Sequence, residues 1–380
     1  GVVPALRARR ARGRPRVATP RGEGVTETAI FLLDGPGYAE IRPGGRAVFR
    51  GIALGAGDDP VVEVVASSAG RTLGRAPANG PSPEISWVPL EASAACRFTL
   101  DVPVPQGAAV DLNVRYASGA ETTAFRYDVP FAEREAERLR MLAARIEAMP
   151  VPSSDLVAVT QGGGDVEVYR RSILESFLAM ELQLRAAGAD PAGVRSVLDI
   201  GCGTGRLLAG WHADDPGRRL VGTDLNPDLM AWARTHLPAV AAWEVNGLHP
   251  PLPHPDGAVD LVVLSSVLTH VSLANQRAWL AEARRLLAPG GRALVTLHGT
   301  VYASVFLRGA DAARWAATGY AEVAGAAEGA NAYTSFHSES FARALFAEFS
   351  SAAFFPRGAA DGAPRRFPVA SLQDVYVLSR

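Results

Sequence analysis

The sequence of 380 residues contains no lysine, so arginine supplies all 38 of its basic side chains. With 39 acidic residues the formal net charge is −1, which gives no general argument for a polyanionic partner. Abundant alanine, glycine and proline accompany the missing lysine, and this combination is typical of a GC-rich genome rather than of a function. The overall composition therefore predicts no nucleic-acid partner.

Cysteine and long apolar runs are also scarce. Cys96 and Cys202 fall in regions that we predict to be different domains, so we expect no disulfide and a reducing, cytoplasmic setting. No apolar run approaches the roughly 18 residues needed to cross a bilayer, so we expect no membrane partner. His249 and His254 are joined by no cysteine or acidic cluster, so we predict no metal site.

The first residues are unusually basic. Residues 1–22 hold seven arginines and no acid, and they lack the apolar segment of a secretory signal. We predict a disordered arginine-rich tail over residues 1–24. A basic arm for nucleic acid or a membrane is the alternative.

Residues 25–130 consist of short runs in which apolar and polar residues mostly alternate, with turn clusters such as Asp34-Gly-Pro-Gly37 between them. About seven such strands in roughly 100 residues predict an all-β, sandwich-like domain of immunoglobulin-like type. Trp87 is the candidate core aromatic. No catalytic constellation is present, since no histidine precedes His212. A binding or positioning module, a homodimer contact and a plain scaffold all remain open for this domain.

Residues 131–164 are predicted to be a helical linker and hinge. Apolar residues at helical spacing predict one amphipathic helix over 131–149, which prolines then end. The run Gln161-Gly-Gly-Gly164 indicates the hinge. A second helix over 165–187 begins the last domain, predicted over 165–380.

The most informative stretch is residues 196–205. Residues 196–200 are predicted to form a buried parallel strand, and Gly201, Gly203 and Gly205 follow at once. A strand, a glycine turn and a helix N-terminus present backbone N–H groups to a ligand and let it approach closely. The spacing departs from the dinucleotide fingerprint G-x-G-x-x-G, because Arg206 fills the last position. A tight turn in some other α/β domain is the alternative.

Further motifs follow in a fixed order. Residues 219–224 are predicted to be a second strand that ends in Asp224, about 20 residues after the glycines, where ribose hydroxyls are usually held. Residues 251–260, 261–270 and 285–295 supply the other motifs. In content and order, from about residue 169 to 299, these motifs closely resemble the class I S-adenosylmethionine (SAM)-dependent methyltransferases (type 11/25-like).

The resemblance implies a Rossmann-like, doubly wound α/β fold with seven strands, of which the last pair is antiparallel. We place its strands at 196–200, 219–224, 240–245, 259–264 and 291–297, with candidates for the last two at 352–355 and 375–378. Helices are predicted at about 206–213, 227–236, 273–288 and 338–346. The implied cofactor is S-adenosylmethionine and the implied activity is methyl transfer.

The resemblance places the cofactor beyond the carboxyl ends of these strands. It implies that Asp199 reaches the methionine amino group and that Asp224 accepts from both ribose hydroxyls. Leu225 and Met230 are expected near the adenine, although core packing is as good a role for Met230. Asn246 and Gly247 depart from the acidic residue of many relatives, but the Asn246 carbonyl is able to accept the same bond. The predicted cofactor contacts are Asp199, Gly201, Gly203, Gly205, Asp224, Leu225, Asn246, Gly247 and Ser265.

A general base is needed only if the acceptor is a poor nucleophile. His270, after the fourth strand, and His298, after the fifth, are the candidates, since histidine titrates near neutral pH. A purely structural role is the alternative for both. Residues 300–337 are predicted to be a lid or substrate wall, in which Tyr302, Tyr333 and His337 are the candidate substrate contacts.

These features favour O-methylation of a small-molecule acceptor, with a sugar or natural-product hydroxyl preferred. The sugar preference comes from a fainter similarity of residues 246–254 and 269–270 to bacterial methyltransferases found with glycan-modifying enzymes. An N-methyltransferase acting on an amine or peptide and a non-catalytic SAM-binding adaptor remain as alternatives. A nucleic-acid methyltransferase is disfavoured because Ser265-Ser266 stands where an Asn-Pro-Pro-Tyr type motif is expected.

Overall fold

The computed structural model describes residues 29–55, 59–82, 95–161, 163–359, 363–368 and 372–380. The predicted arginine-rich tail over 1–24 and the candidate core residue Trp87 lie outside these ranges. The side chains of Ala29 and Ala324 are likewise outside the description.

The first part of the described chain is built from antiparallel strands. They are β1 (Ala29–Gly35), β2 (Arg46–Gly55), β3 (Val61–Ser68), β4 (Arg71–Pro77), β5 (Gly80–Pro81), β6 (Ala95–Pro103), β7 (Val110–Tyr116) and β8 (Glu121–Tyr127). They form two four-stranded sheets in the orders β1-β2-β6-β5 and β4-β3-β7-β8. Alternate residues of β6, such as Phe98 and Leu100, are buried because successive side chains of a strand point to opposite faces. The prediction of an all-β region is confirmed in these residues, although β4 and β5 were not predicted.

Helices connect this region to the second sheet. They are α1 (Val129–Arg134), α2 (Ala136–Glu147), α3 (Ser154–Gln161) and α4 (Val166–Ala186). The single helix predicted over 131–149 is wrong, because Glu135 leaves helical geometry at φ −96° and ψ 9° and separates α1 from α2. Helix α3 was not predicted either. It ends at the first residue of the expected glycine hinge.

The second part alternates strands and helices. In chain order these are β9 (Ser196–Ile200), α5 (Arg206–Asp214), β10 (Arg219–Asp224), α6 (Pro227–His236), β11 (Ala242–Val245), β12 (Val259–Leu264), α7 (Leu273–Leu286) and β13 (Leu287–Leu297). After them come α8 (Thr300–Phe306), α9 (Gly309–Thr318), β14 (Tyr320–Ala324), β15 (Tyr333–His337), α10 (Glu339–Leu345), β16 (Ser351–Phe355) and β17 (Asp374–Ser379).

Seven of these strands form one sheet in the order β11-β10-β9-β12-β13-β17-β16. Strands β9 to β13 run parallel, whereas β17 is antiparallel to both β13 and β16. The chain order reverses between β9 and β12, and such a switch point opens a ligand crevice at the carboxyl ends of the strands. The predicted doubly wound seven-stranded sheet is confirmed.

The segment between β13 and α10 contains two helices, α8 and α9, and a hairpin made of β14 and β15. Its apolar side chains, including Leu307 and Phe336, form a small core of their own. The hairpin also reaches the sheet, because the His337 N–H donates to the His298 carbonyl at 2.8 Å. This segment therefore forms a fixed flank of the carboxyl edge.

The β-region packs directly on α4. One apolar core runs through both parts of the described chain and includes Phe31 on β1 and Phe177 on α4. At the junction the fully buried Glu175 accepts the Tyr38 N–H at 2.7 Å, and Arg171 donates to the Asp34 carbonyl. The β-region is therefore a wall of the same body rather than a loosely tethered module.

Glu175 predicts a pH dependence of stability. Burial raises the pKa of this carboxyl to about 8, with the Tyr38 N–H opposing the shift, and its Oε2 has no partner among the described residues. An unfolded glutamate titrates near pH 4.3, so the folded state holds an extra proton between that value and about 8. The contribution of Glu175 to the free energy of unfolding is therefore fully present below this window and is lost as the pH rises through it.

We expect Glu175→Gln to raise the free energy of unfolding by several kcal/mol, at most about 5, near pH 9 and by about 1 kcal/mol near pH 5. Thermal unfolding across that range measures the effect. Glu348→Gln, at an exposed position, is the matched control and should leave the free energy of unfolding unchanged across the same pH range. A Glu175→Gln effect that is equal at both ends of the range contradicts this account.

Candidate functional site

The glycine turn after β9 needs residues without a Cβ. Gly201, Gly203 and Gly205 all have left-handed backbones, with φ of 70°, 57° and 83°. A Cβ on Gly203 would lie 2.9 Å from the Thr160 methyl group, and one on Gly205 would lie 2.3 Å from the Trp243 ring. Helix α3, which carries Thr160, therefore packs closely against the turn. No pattern in the sequence indicated this neighbour.

Asp224, at the end of β10, lies against that turn. Its Oδ2 accepts the Gly203 N–H at 2.9 Å and its Oδ1 accepts the Asn226 N–H at 2.8 Å. Burial raises the pKa of this carboxyl, and these backbone donors oppose the shift. Each carboxylate oxygen has a further lone pair, so Asp224 is able to hold the turn and accept from two adjacent hydroxyls as well.

Asp199 is the most unusual group at this edge. Its side chain is 1% exposed, and neither carboxylate oxygen has a hydrogen-bond partner among the described residues. Burial raises its pKa to about 8, and the nearby Arg206 guanidinium opposes that rise. A buried acceptor without a donor is costly, so a ligand that brings an ammonium group would satisfy it.

The end of β11 supplies a second acceptor. The Asn246 N–H donates to the Asp224 carbonyl at 3.1 Å, and its side-chain N–H donates to the Gly247 carbonyl at 2.7 Å. The side-chain Oδ1 of Asn246 is buried and has no partner in the described part of the chain. Leu225 beside it is 46% exposed, which is unusual for a large apolar residue here. An amino-substituted aromatic ring would supply a donor to this unpartnered acceptor and an apolar face to the exposed Leu225 side chain.

These groups fit S-adenosylmethionine as the resemblance implied. Asp199 offers an acceptor for an ammonium, Asp224 for a ribose diol and Asn246 for an adenine amino group. Met230, by contrast, is fully buried with its sulfur 4.0 Å from the Cys202 sulfur, so it belongs to the core. Asp260 is structural, since its Oδ2 accepts the Ser196 N–H and hydroxyl.

A polar network that the sequence did not reveal lies beside Ser265. The Ser266 N–H donates to the Thr296 hydroxyl, which donates to the side-chain carbonyl of Gln373. The Gln373 side-chain N–H groups face the Ser266 hydroxyl at 2.8 Å and the His298 Nε2 at 3.2 Å. Gln373 precedes β17, so only the antiparallel return of the chain brings it to this edge. Ser266 itself has a left-handed φ of 62°.

The two candidate bases lie together, with ring centroids 6.0 Å apart. The His270 Nδ1 lies 2.8 Å from the Tyr333 carbonyl, so it carries the proton and leaves Nε2 as an acceptor. Burial lowers the pKa of His270, and burial together with His270 and His337 lowers that of His298 to about 3. The Nε2 of His298 already accepts from Gln373.

The three predicted substrate contacts have different surroundings. The Tyr302 ring stacks on His298 with centroids 4.4 Å apart, which places it at the edge of the site. The Tyr333 hydroxyl donates to Glu322 at 2.7 Å, and His337 is fully buried with its Nε2 2.9 Å from the side-chain carbonyl of Gln276 on α7. Both side chains therefore have partners within the protein, and Tyr333 contacts His270 through its main-chain carbonyl.

None of the helices in the described ranges combines the length and apolar character that crossing a bilayer demands. No set of three or more histidine, cysteine, aspartate or glutamate side chains in those residues is placed to hold a metal ion.

Comparison with known proteins identifies the second part of the chain. Residues 198–295 match the family model described as "Methyltransferase domain". The chain is 34% identical over 168 residues to an uncharacterised 37.1 kDa protein in transposon TN4556 of Streptomyces fradiae, covering 42% of this chain and 43% of that protein. It is 37% identical over 99 residues to a malonyl-[acyl-carrier protein] O-methyltransferase of Hahella chejuensis, covering 26% of this chain and 34% of that protein.

Among solved structures, the SAM-bound amino pentose methyltransferase CalS10 of Micromonospora echinaspora is similar at 18% identity and a TM-score of 0.39. That similarity covers 55% of this chain and 91% of the other. The chain spans less than half the length of the two curated relatives described above. The family match, the seven-stranded sheet and the glycine turn agree, and residues 198–295 are the centre of a class I SAM-dependent methyltransferase domain whose cofactor is S-adenosylmethionine.

Proposed function

We propose that this protein transfers a methyl group from S-adenosylmethionine to a hydroxyl of a small-molecule acceptor, with a sugar or another natural product preferred. The observation that carries the proposal is the buried Asp199 carboxylate without a partner in the described residues, next to the Asp224 contact with the glycine turn. Asp199, an acceptor without a partner in the described residues, and Asp224, an acceptor for a diol, lie at the ends of adjacent strands. Together they suit the ammonium group and the ribose of this one cofactor.

The bound cofactor supplies an electrophilic methyl group and a neutral thioether as the leaving group. The protein's own task is to fix the reacting atoms in line and to exclude water. Asp199 and Asp224 would hold the cofactor at two points, and Ser265 lies where the acceptor would approach. The acceptor oxygen forms the new O–C bond as the S–C bond breaks, and the hydroxyl proton passes to a base.

His270 is the better candidate for that base. Its Nδ1–H is held by the Tyr333 carbonyl, so the Nε2 lone pair is available, 3.5 Å from the Ser266 hydroxyl. In His298 the Nε2 lone pair is already used by Gln373, and a pKa lowered to about 3 makes it a poor base. We therefore assign proton transfer to His270 and a structural role, through Gln373, to His298.

A hydroxyl acceptor is favoured because an amine needs no such base once it is neutral. The relative from Hahella chejuensis is named as an O-methyltransferase, which is consistent with this choice. An N-methyltransferase remains the alternative. It would show full turnover without His270.

We also propose that the β-region over 25–130 is an immunoglobulin-like sandwich that positions the acceptor and forms a homodimer contact. Residues 131–164 then link it to the methyltransferase domain over 165–380. Two four-stranded antiparallel sheets support the sandwich. We propose that the 300–337 segment forms one wall of the acceptor site. The stacking of Tyr302, on α8, against His298 supports this proposal.

Turnover on a panel of hydroxyl and amine acceptors tests the activity. We expect formation of S-adenosylhomocysteine together with an acceptor that mass spectrometry shows to be one methyl group heavier. Binding of the cofactor without turnover on any acceptor would instead support a SAM-binding adaptor.

Asp224→Ala should lower affinity for S-adenosylhomocysteine by about 1–3 kcal/mol, because a buried hydrogen-bonding partner is lost. Calorimetric titration measures this change. The exposed Asp228→Ala, four residues later in α6, removes the same charge and should bind normally. Equal affinity in the two variants removes Asp224 from the site.

His270→Ala should lower kcat at saturating cofactor by roughly 100- to 10,000-fold, the usual contribution of a general base. His298→Ala should lower it less than about tenfold, since it loses no base. Because burial lowers the His270 pKa, the acid limb of the rate profile should lie below the usual histidine value of about 6.5 and vanish in His270→Ala. A large loss confined to His298→Ala would reverse the assignment.

A further inference from the structure

Ser266 has a backbone conformation that its residue type disfavours. It follows Ser265 directly, just past the end of β12, and has a left-handed φ of 62°. In the described part of the chain only two other non-glycine residues have a positive φ, Ala69 and Arg357. Such conformations persist only where surrounding contacts fix them, and they cluster at functional sites. The contacts that fix Ser266 are therefore informative about function.

Two side chains hold Ser266 in a closed ring of hydrogen bonds. The Ser266 N–H donates to the Thr296 hydroxyl at 2.7 Å, and that hydroxyl donates to the side-chain carbonyl of Gln373 at 2.5 Å. A side-chain N–H of Gln373 then donates to the Ser266 hydroxyl oxygen at 2.8 Å. Because Gln373 donates to this oxygen, the hydroxyl proton of Ser266 must point to another acceptor.

Two acceptors lie within reach of that proton. The His270 Nε2 is 3.5 Å from the Ser266 hydroxyl oxygen, and the Thr269 hydroxyl is 3.4 Å from it. The His270 Nδ1 carries its proton toward the Tyr333 carbonyl, so the Nε2 lone pair is able to accept. A distance of 3.5 Å is long for a hydrogen bond, and catalytic contacts of this kind shorten when a substrate is in place.

This network has a buried back and an exposed front. Thr269, Thr296 and Gln373 are at most 9% exposed. Ser266 and His270 are both partly exposed. A molecule at the carboxyl edge of the sheet is therefore able to reach the Ser266 hydroxyl and the His270 ring without displacing the buried members.

We propose that Ser266 is a catalytic residue that carries the proton of the acceptor hydroxyl to His270. This inference rests on the proposed function, in which His270 is the base. As the acceptor oxygen bonds to the methyl carbon and the S–C bond breaks, the acceptor O–H proton moves to the Ser266 oxygen. In the same step the Ser266 proton moves to the His270 Nε2. Ser266 ends as a neutral hydroxyl, and the positive charge that leaves the sulfur ends on the His270 ring.

The contact between Ser266 and His270 is tested without an acceptor, by NMR titration of the histidine-labelled full chain with and without S-adenosylhomocysteine. The His270 signal is the one that is missing from His270→Ala. A hydroxyl that donates to the neutral Nε2 favours the uncharged ring, so Ser266→Ala should raise the measured pKa of His270. An unchanged pKa of His270 in this variant overturns the proposal.

Turnover of the hydroxyl acceptor that reacts fastest in the panel tests the transfer itself. Ser266→Ala should lower the single-turnover rate roughly 10- to 100-fold, less than the loss of the base. The wild-type rate, plotted against the deuterium fraction of the water, should curve because two protons move. In Ser266→Ala the plot should become straight, because one proton moves. A slower variant that keeps the wild-type curve shows a purely structural Ser266 and overturns the relay.

Ser266→Gly separates the hydroxyl from the backbone strain. Glycine adopts a left-handed φ without steric cost, so this variant loses the hydroxyl and is relieved of strain. It should be as slow as Ser266→Ala, and a wild-type rate would contradict the relay. Ala69→Gly is the matched control, at φ 47° in the exposed turn between β3 and β4. It relieves similar strain and should keep both the wild-type rate and the wild-type pKa of His270.

The two proposals fail in different ways. Near-normal turnover of a hydroxyl acceptor by His270→Ala removes the base of the proposed function, and the relay with it. A large loss in His270→Ala together with wild-type rates in both Ser266 variants removes only the relay. No turnover on any acceptor removes both.

Discussion

The hydrogen bond from the Gly203 N–H to the Asp224 carboxylate, at 2.9 Å, is the contact on which the site depends. It joins the turn after β9 to the end of β10, so two neighbouring strands present their ligand groups as one surface. The bond requires a left-handed backbone at Gly203 and a buried carboxylate at Asp224. The carboxylate accepts the Gly203 N–H of the turn, and the turn thereby supplies a hydrogen-bond donor to the buried carboxylate. Asp199 completes the surface with a carboxylate that has no hydrogen-bond partner among the described residues. A bound ligand would supply the missing donor.

A second constraint is the packing of the β-region on α4. Because Glu175 is buried at that junction and accepts the Tyr38 N–H, the orientation of the two parts is tied to a specific polar contact. The same junction brings residues 363–367 against β8, where the Arg126 N–H donates to the Arg365 carbonyl. The described residues 363–367 are thus held in part by the β-region, since Arg365 also donates to the Phe31 carbonyl. This contact gives that region a physical role in the domain.

Local patterns in the sequence predicted much of this. Four elements have the predicted bounds, namely the strands at 196–200, 219–224 and 259–264 and the helix at 227–236. Short apolar runs that are bounded by glycine and proline residues are strong signals for such elements. The helix predicted over 131–149 is broken at Glu135, because the pattern of apolar residues says nothing of a local change in backbone angles. The sequence did not indicate that the Tyr333 hydroxyl donates to Glu322 or that His337 bonds to Gln276 on α7, since residue type alone does not reveal a partner.

The sequence by itself determined the class of sheet, the glycine turn and the acid at the end of β10, because these depend on residues close together in the chain. Only the tertiary structure decided which histidine keeps a free lone pair, because that depends on Gln373 and on the Tyr333 carbonyl, which are distant in sequence from His298 and His270. It likewise decided that Thr160 faces the turn and that Gln373 donates to the Ser266 hydroxyl. Contacts between distant segments form only when packing fixes their orientation, and no local pattern records them.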